Sequence, residues 1–265
     1  EKYTVLETEP VKLYRTISKI SLGTVAIKND KFPDAKIEIK RVFALRGAKS
    51  TYLAVNQKTK WGEIFDKDAD NYFYGITDFD NVWTDEKDKA AYITGYEGET
   101  ATYAAAYNFY DAAASSEEII LGGASSEDFP TEIKFTDEFY AFENTEAANW
   151  TLLVIHGDFS YMHIETDEDG NVLSSKLVTL ENRYYTVRIG DPNQGADFTK
   201  IKKDDNFPGR TVHSGIMRNL HYQIAKITIN GTGSTKILYQ EDGDASLDVN
   251  VVVVDYGEVE QIWEF

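Results

Sequence analysis

Apolar residues recur at every second position through much of the chain, the spacing of strands that bury one face. In Ile37–Leu45, residues Ile37, Ile39, Phe43 and Leu45 share a face, with Arg41 the exception. Leu220, Tyr222 and Ile224 alternate in the same way, after which the apolar phase slips to Ile227 and Ile229. One extra residue near Ala225 and Lys226, a β-bulge, accounts for that slip. Asn230-Gly231-Thr232-Gly233 then ends the run with turn chemistry. Leu247, Val249, Val251 and Val253 line one face of the next run, while Val252 and Val254 make part of its other face apolar. That pattern predicts a strand held between two layers. Further strands are predicted over Val11–Leu22, Leu152–His156, Val172–Leu180 and Tyr184–Ile189, and Gln261, Trp263 and Phe265 fall on one side of the last six residues. Strands spaced by short turns, with few helical segments, point to an all-β sandwich.

The stretch 58–130 breaks the alternation. It carries Asp66-Lys67-Asp68-Ala69-Asp70 and Asp85-Glu86-Lys87-Asp88, then Ala- and Ser-rich sequence in which Tyr103–Ala114 is predicted as a short helix. The whole reads as a long, partly helical insertion of the kind that displays function. Composition agrees with strands elsewhere: 17 Tyr and 14 Phe stand against 2 Met and 5 Pro.

A formal net charge of -18 disfavours nucleic acid and anionic membrane surfaces as partners. With no cysteine, disulfides, thiolate metal sites and a cysteine nucleophile are excluded. No apolar run approaches the ~20 residues of a membrane-spanning helix. The opening Glu1-Lys2-Tyr3 runs straight into a strand-like segment without a signal-peptide pattern, so a mature or trimmed product is expected.

Candidate chemistry is sparse. Glu165-Thr166-Asp167-Glu168-Asp169-Gly170-Asn171 imitates the first half of an EF-hand loop, but the twelfth position, which should supply a bidentate Glu, is Lys176. A hairpin turn on Asp169-Gly170 is therefore predicted. His156, His163, His213 and His221 have no metal-ligand spacing, and neither a Gly-x-Ser-x-Gly elbow nor a phosphate loop occurs. No catalytic residue, metal site or cofactor is assigned. The clusters Tyr72-Phe73-Tyr74 and Tyr107-Asn108-Phe109-Tyr110 could stack on sugar rings, which keeps a surface carbohydrate-binding module as the alternative; packing is the expected use of these aromatics.

Several segments, in order, resemble the fimbrillin (major fimbrial subunit, type V pilin) family of Bacteroides-type bacteria. They are Val11–Ile20, Phe139–Thr145, Thr151–Gly157, Tyr184–Ile189, and Ile216–Ile224 leading to Ile229–Gly233 and the valine-rich Val249–Val254. The resemblance is to that family's C-terminal part. It implies a transthyretin-like Greek-key β-sandwich over 10–265, with 1–9 an interdomain strand or linker left from an N-terminal domain. It further implies export as a lipoprotein precursor, an extracellular place on an outer-membrane fimbrium, and polymerisation by donor-strand exchange. The partners would be other fimbrial subunits and a host or bacterial surface receptor. Leu247, Val249, Val251, Val253, Trp263 and Phe265 are then the expected donor-strand residues. Arg218, Asn219 and Tyr222 form an expected strand-entry motif: a turn residue and a guanidinium hold the entrance, and the tyrosine anchors the buried face.

Overall fold

The computed structural model describes residues 15–48, 105–126, 128–144, 150–201, 214–235 and 247–256. They form eleven strands in two facing sheets. In chain order these are β1 (Ile17–Ile27), β2 (Lys36–Leu45), β3 (Ala105–Asp111), β4 (Ile119–Gly122), β5 (Glu132–Lys134), β6 (Glu138–Phe142), β7 (Leu152–Thr166), β8 (Val172–Arg188), β9 (Ala196–Asp197), β10 (Leu220–Ile229) and β11 (Leu247–Asp255). The helical content among the described residues is one 3-10 turn, Pro192–Gln194.

The first sheet runs β5-β1-β10-β11-β9, with β6 beside β5 on the same edge of β1. The second runs β3-β2-β7-β8, with β4 beside β3 on the same edge of β2. β1 and β10 are parallel, pairing Lys19 with His221 through to Ile27 with Ile229 across some two hundred residues of chain. Between the sheets lies one core, in which Ile20, Leu22, Tyr222, Ile224 and Val253 from the first sheet meet Ile37, Ile39, Ile155, Phe159 and Tyr185 from the second. Each such side chain contributes roughly 1.5–3 kcal/mol by leaving water. The all-β sandwich is thus the observed fold.

Three local readings change. In β2 the register shifts between Ile39 and Arg41, so the core face passes from Ile37 and Ile39 to Val42 and Ala44. Phe43 and Leu45 are buried outside that core cluster, and the Arg41 guanidinium lies 4.8 Å from the centre of the Phe43 ring. Arg41 marks the bulge rather than an exception to one face. Second, the predicted helix over Tyr103–Ala114 is in fact the strand β3, because the free edge of β2 supplies a ladder and the core takes Phe109. β3 and β4 therefore give the end of the 58–130 stretch to the second sheet. Third, β11 is buried on one face only: Val252 and Val254 stay half-exposed. The bulge in β10 lies where the phase slip put it, between Ile224 and Lys226.

The Asp167–Asn171 segment is a hairpin turn. Asp167 Oδ1 accepts from the N–H groups of Asp169 (3.0 Å) and Asn171 (2.8 Å), and Gly170 takes a φ of 84°. Hydrogen bonds from the Asn171 side chain and backbone hold the Asp167 carboxyl below the usual carboxylate range. Its oxygens serve the turn, and no cluster of three or more potential metal ligands forms among the described residues.

Candidate functional site at the β10 entry and the β11 edge

The chain enters β10 through Gly215–Asn219, which ties both sheets together. Ile216 and Asn144 exchange two backbone hydrogen bonds of 2.7 Å, and Gly215 N–H donates to Gly190 O at 2.9 Å. Gly190 has a φ of 80°, and a Cβ there would lie 2.2 Å from Gly215 O, so both conformation and space require glycine. Ser18 Oγ donates to Met217 O, fixing β1 to the same turn.

Arg218 points inward. Its Nε and Nη2 reach one oxygen of Glu143, Oε2, at 2.9 and 2.8 Å, with 4% and 3% of the two side chains exposed. Asn219 takes a φ of 58°, a left-handed conformation that Asn tolerates better than most residues. There its N–H donates to Ile17 O at 3.0 Å and its carbonyl accepts from Tyr256 N–H at 2.9 Å. Its Oδ1 accepts from Arg15 N–H at 3.4 Å. Asn219 thus joins the start of β1 and the end of β11 to the start of β10. Tyr222 is fully buried, its hydroxyl donating to Gly215 O (2.8 Å) and accepting from Met217 N–H (2.7 Å). Tyr222→Phe leaves both backbone groups buried without their partner and is expected to lower stability by about 1–3 kcal/mol. Denaturant unfolding checks it: the midpoint should fall while the slope stays unchanged.

β11 pairs antiparallel with β10 from Leu220 opposite Asp255 to Ile229 opposite Leu247. Val251 and Val253 are 1% and 0% exposed in this chain's own core, with Leu247 and Val249 packed half-buried against it. On its other side β11 has only the two-residue β9 among the described residues, pairing Val251 with Ala196 and Val252 with Asp197. It is a near-edge strand whose inner face is buried at Val251 and Val253 and half-buried at Leu247 and Val249. In the single chain, its valines complete their own sandwich. Trp263 and Phe265 lie outside the described residues.

The other candidates separate. Tyr107 stacks on Phe139 (centroids 5.4 Å, 9° between planes), and Phe109 meets Phe139 edge-on at 5.6 Å, so these two aromatics serve packing. Tyr72, Phe73 and Tyr74 lie outside the described residues, as does His213. His156 is buried against Tyr184, His163 is exposed on β7, and His221 Nε2 lies 2.9 Å from Ser21 Oγ. Sequence reasoning missed Glu143, whose link to Arg218 spans 75 positions. It also missed Tyr256, over whose ring the Arg15 guanidinium sits at 4.3 Å.

No family model and no curated protein matches the chain. Crystal structures of similar fold include the following three. A candidate cell adhesion protein from Bacteroides eggerthii matches at 15% identity and a TM-score of 0.41 over 92% of this chain and 57% of its own. A second candidate cell adhesion protein, from Parabacteroides distasonis, matches at 16% and 0.46 over 94% and 54%. A fimbrilin from Porphyromonas gingivalis matches at 17% and 0.41 over 94% and 60%. The chain spans little more than half the length of each.

Proposed function

We propose that this chain is a non-enzymatic structural subunit of a cell-surface fimbria or pilus that supports adhesion, and that β11 is exchanged between copies. The ordered sequence segments that resemble fimbrillins motivate the reading. The observation that carries it is the position of β11: next to the edge of its sheet and, among the described residues, bonded along its length to β10 alone and otherwise met by two residues of β9. Removing β11 detaches only the two-residue β9 and leaves the other strands of the sheet paired. It exposes a groove along β10 that an identical strand from a second copy fills in the same register, restoring the burial of Val251 and Val253.

Exchange of like for like gains nothing in the groove itself. The net gain then comes from contacts that residues beyond β11 make only between copies, with Trp263 and Phe265 the candidates. Because release of β11 bares the core, exchange would be slow and the assembled fibre kinetically persistent. Other copies or accessory subunits are the partners, and the outer surface of the outer membrane is the proposed location.

A reversible lock tests this. Gln223 and Val252 stand directly opposite on β10 and β11, both half-exposed, in a chain without cysteine. A disulfide between Gln223→Cys and Val252→Cys should abolish filament formation under oxidising conditions and restore it on reduction, as read by electron microscopy. Filaments formed equally well by the locked subunit would rule out exchange of β11. The sugar-binding alternative gains no support from Tyr107 and Phe109, which the core uses.

A further inference from the structure

The β7–β8 hairpin outruns the sandwich. β2 follows β7 only as far as Lys36 opposite Ser160, whereas β7 and β8 stay paired from Tyr161–Val178 to Thr166–Val172. Six residues of β7 thus extend past the supporting strand, an arm of roughly 20 Å. Its base is held: Tyr161 lies on Phe32 with centroids 3.9 Å apart, and Met162 N–H donates to Asp34 Oδ2 at 2.7 Å. The remainder is a two-stranded ribbon, a structure of marginal stability in water unless something covers it.

Its two faces differ. The face continuing from Phe159 carries His163 and Glu165 opposite Lys176 and Ser174. The other carries Met162, Ile164, Leu177 and, two positions from Ser175, Leu173, which are 37%, 55%, 60% and 68% exposed; past a register shift Val172, 62% exposed, joins it opposite Thr166. Its remaining positions are Ser160, Thr166, Ser175 and Thr179, so the face holds no charge at all. Such an apolar face on a solvated arm is organised for contact, and depletion of charge is what marks the centre of an interface.

We propose that this face docks on the same face of a second copy, the two arms stacked back to back in opposite directions about a twofold axis near Leu177. At a net -18, two copies repel through their carboxylates over most approaches, whereas this face brings none together. Opposed stacking also sends the acidic tips, Asp167, Glu168 and Asp169, to opposite ends. With all five side chains fully covered, the apolar surface buried is about 500 Å² per copy, or ~1,000 Å² in the pair, at the low end for a specific interface. A weak, concentration-dependent contact follows, suited to joining molecules side by side. It uses residues that β11 exchange leaves untouched, so it stands or falls apart from the fimbrial reading.

The chain has no cysteine, so single cysteines report proximity cleanly. Under mild oxidation Leu177→Cys should give a disulfide-linked dimer, and Lys176→Cys, on the opposite face of the same strand, should not. In sedimentation over a concentration series, the unaltered chain should show a monomer–dimer equilibrium. Leu177→Lys, at an exposed position that the fold tolerates, should weaken that equilibrium ~10-fold or more. Equal linking of both cysteines, monomers at every concentration, or a dimer indifferent to Leu177→Lys would each overturn the proposal.

Discussion

Arg218→Ala is expected to remove about 3–5 kcal/mol of folding stability, because it strands a buried carboxylate rather than merely deleting a contact. Glu143 is 3% exposed at its side chain, and its Oε2 takes both contacts from the guanidinium. Its Oε1 already has no hydrogen-bond partner among the described residues. Without Arg218, the carboxylate must either remain charged in a poorly polarisable interior or take up a proton. Domains of this kind rest on a margin of roughly 5–15 kcal/mol, so a large share would go. Arg218→Lys should lose less, since a single ammonium can still face Oε2 but cannot match two of its contacts. Removing both charges with Arg218→Leu and Glu143→Leu should recover much of the loss, as buried ion pairs are often replaceable by apolar groups of similar volume. Denaturant midpoints of the three variants check the argument. An Arg218→Ala chain as stable as the parent would show that the pair is not sealed from water.

The consequence reaches past stability. Arg218 precedes Asn219, which holds the end of β11 through Tyr256 N–H. A loosened entry would free β11 together with the turn, so the variant bears on exchange as well as on folding. The same connection explains why turn, guanidinium and tyrosine occur so close together in the sequence: they anchor one strand at three points.

Much of this arrangement was legible because strand alternation is a local property. The bulge at Ile224–Lys226 showed itself as a clean slip of apolar phase, and the Asp169-Gly170 turn as a failed calcium loop. The bulge in β2 was harder, since Val42, Phe43, Ala44 and Leu45 are all apolar and fit either phase; only Arg41 carried the signal. Tyr103–Ala114 misled for a different reason. Its alanines favour a helix by tenths of a kcal/mol per residue, and an open strand edge with a core site for Phe109 outweighs that preference. Pairings such as β1 with β10, or Arg218 with Glu143, leave no local trace. Nor can alternation say whose core a strand completes: Val251 and Val253 read identically as donor residues and as members of their own sandwich. The arm was visible only in part. Met162 with Ile164, and Leu173 with Leu177, keep the spacing of strand residues, and their exposure emerges only once β2 is seen to stop at Lys36, opposite Ser160.

Acidification should weaken the fold through His156 by roughly 3 kcal/mol between pH 6.5 and 4. The ring stacks on Tyr184, centroids 4.6 Å apart and 11° from parallel, and its Nε2–H donates to Asn182 Oδ1 at 3.2 Å. Asn182 is itself held at a φ of 53° by its N–H bond to Asp158 Oδ1, and Asp158 Oδ2 meets Lys40 Nζ at 2.7 Å. Burial pushes the imidazole down to about 4; the Asn182 hydrogen bond and Asp158 act the other way, while Lys40 and Arg41 add to the depression. The unfolded chain, with an ordinary histidine, therefore binds the proton first as pH falls. Above pH ~6.5 both states are neutral and the full contribution is present. It declines by about 1.4 kcal/mol per pH unit until the folded ring titrates near 4, and below that pH the loss is complete. Carboxylates titrate in part of this window, so the test is a difference. His156→Phe keeps an aromatic ring against Tyr184 and cannot protonate, and the gap in stability between parent and variant should shift by that amount from pH 7 to 4. The imidazole proton resonances should titrate near 4 in the folded parent. A gap that does not move with pH, or a ring that titrates near 6.5, would mean that water reaches His156 and the outer face of β7 is open there.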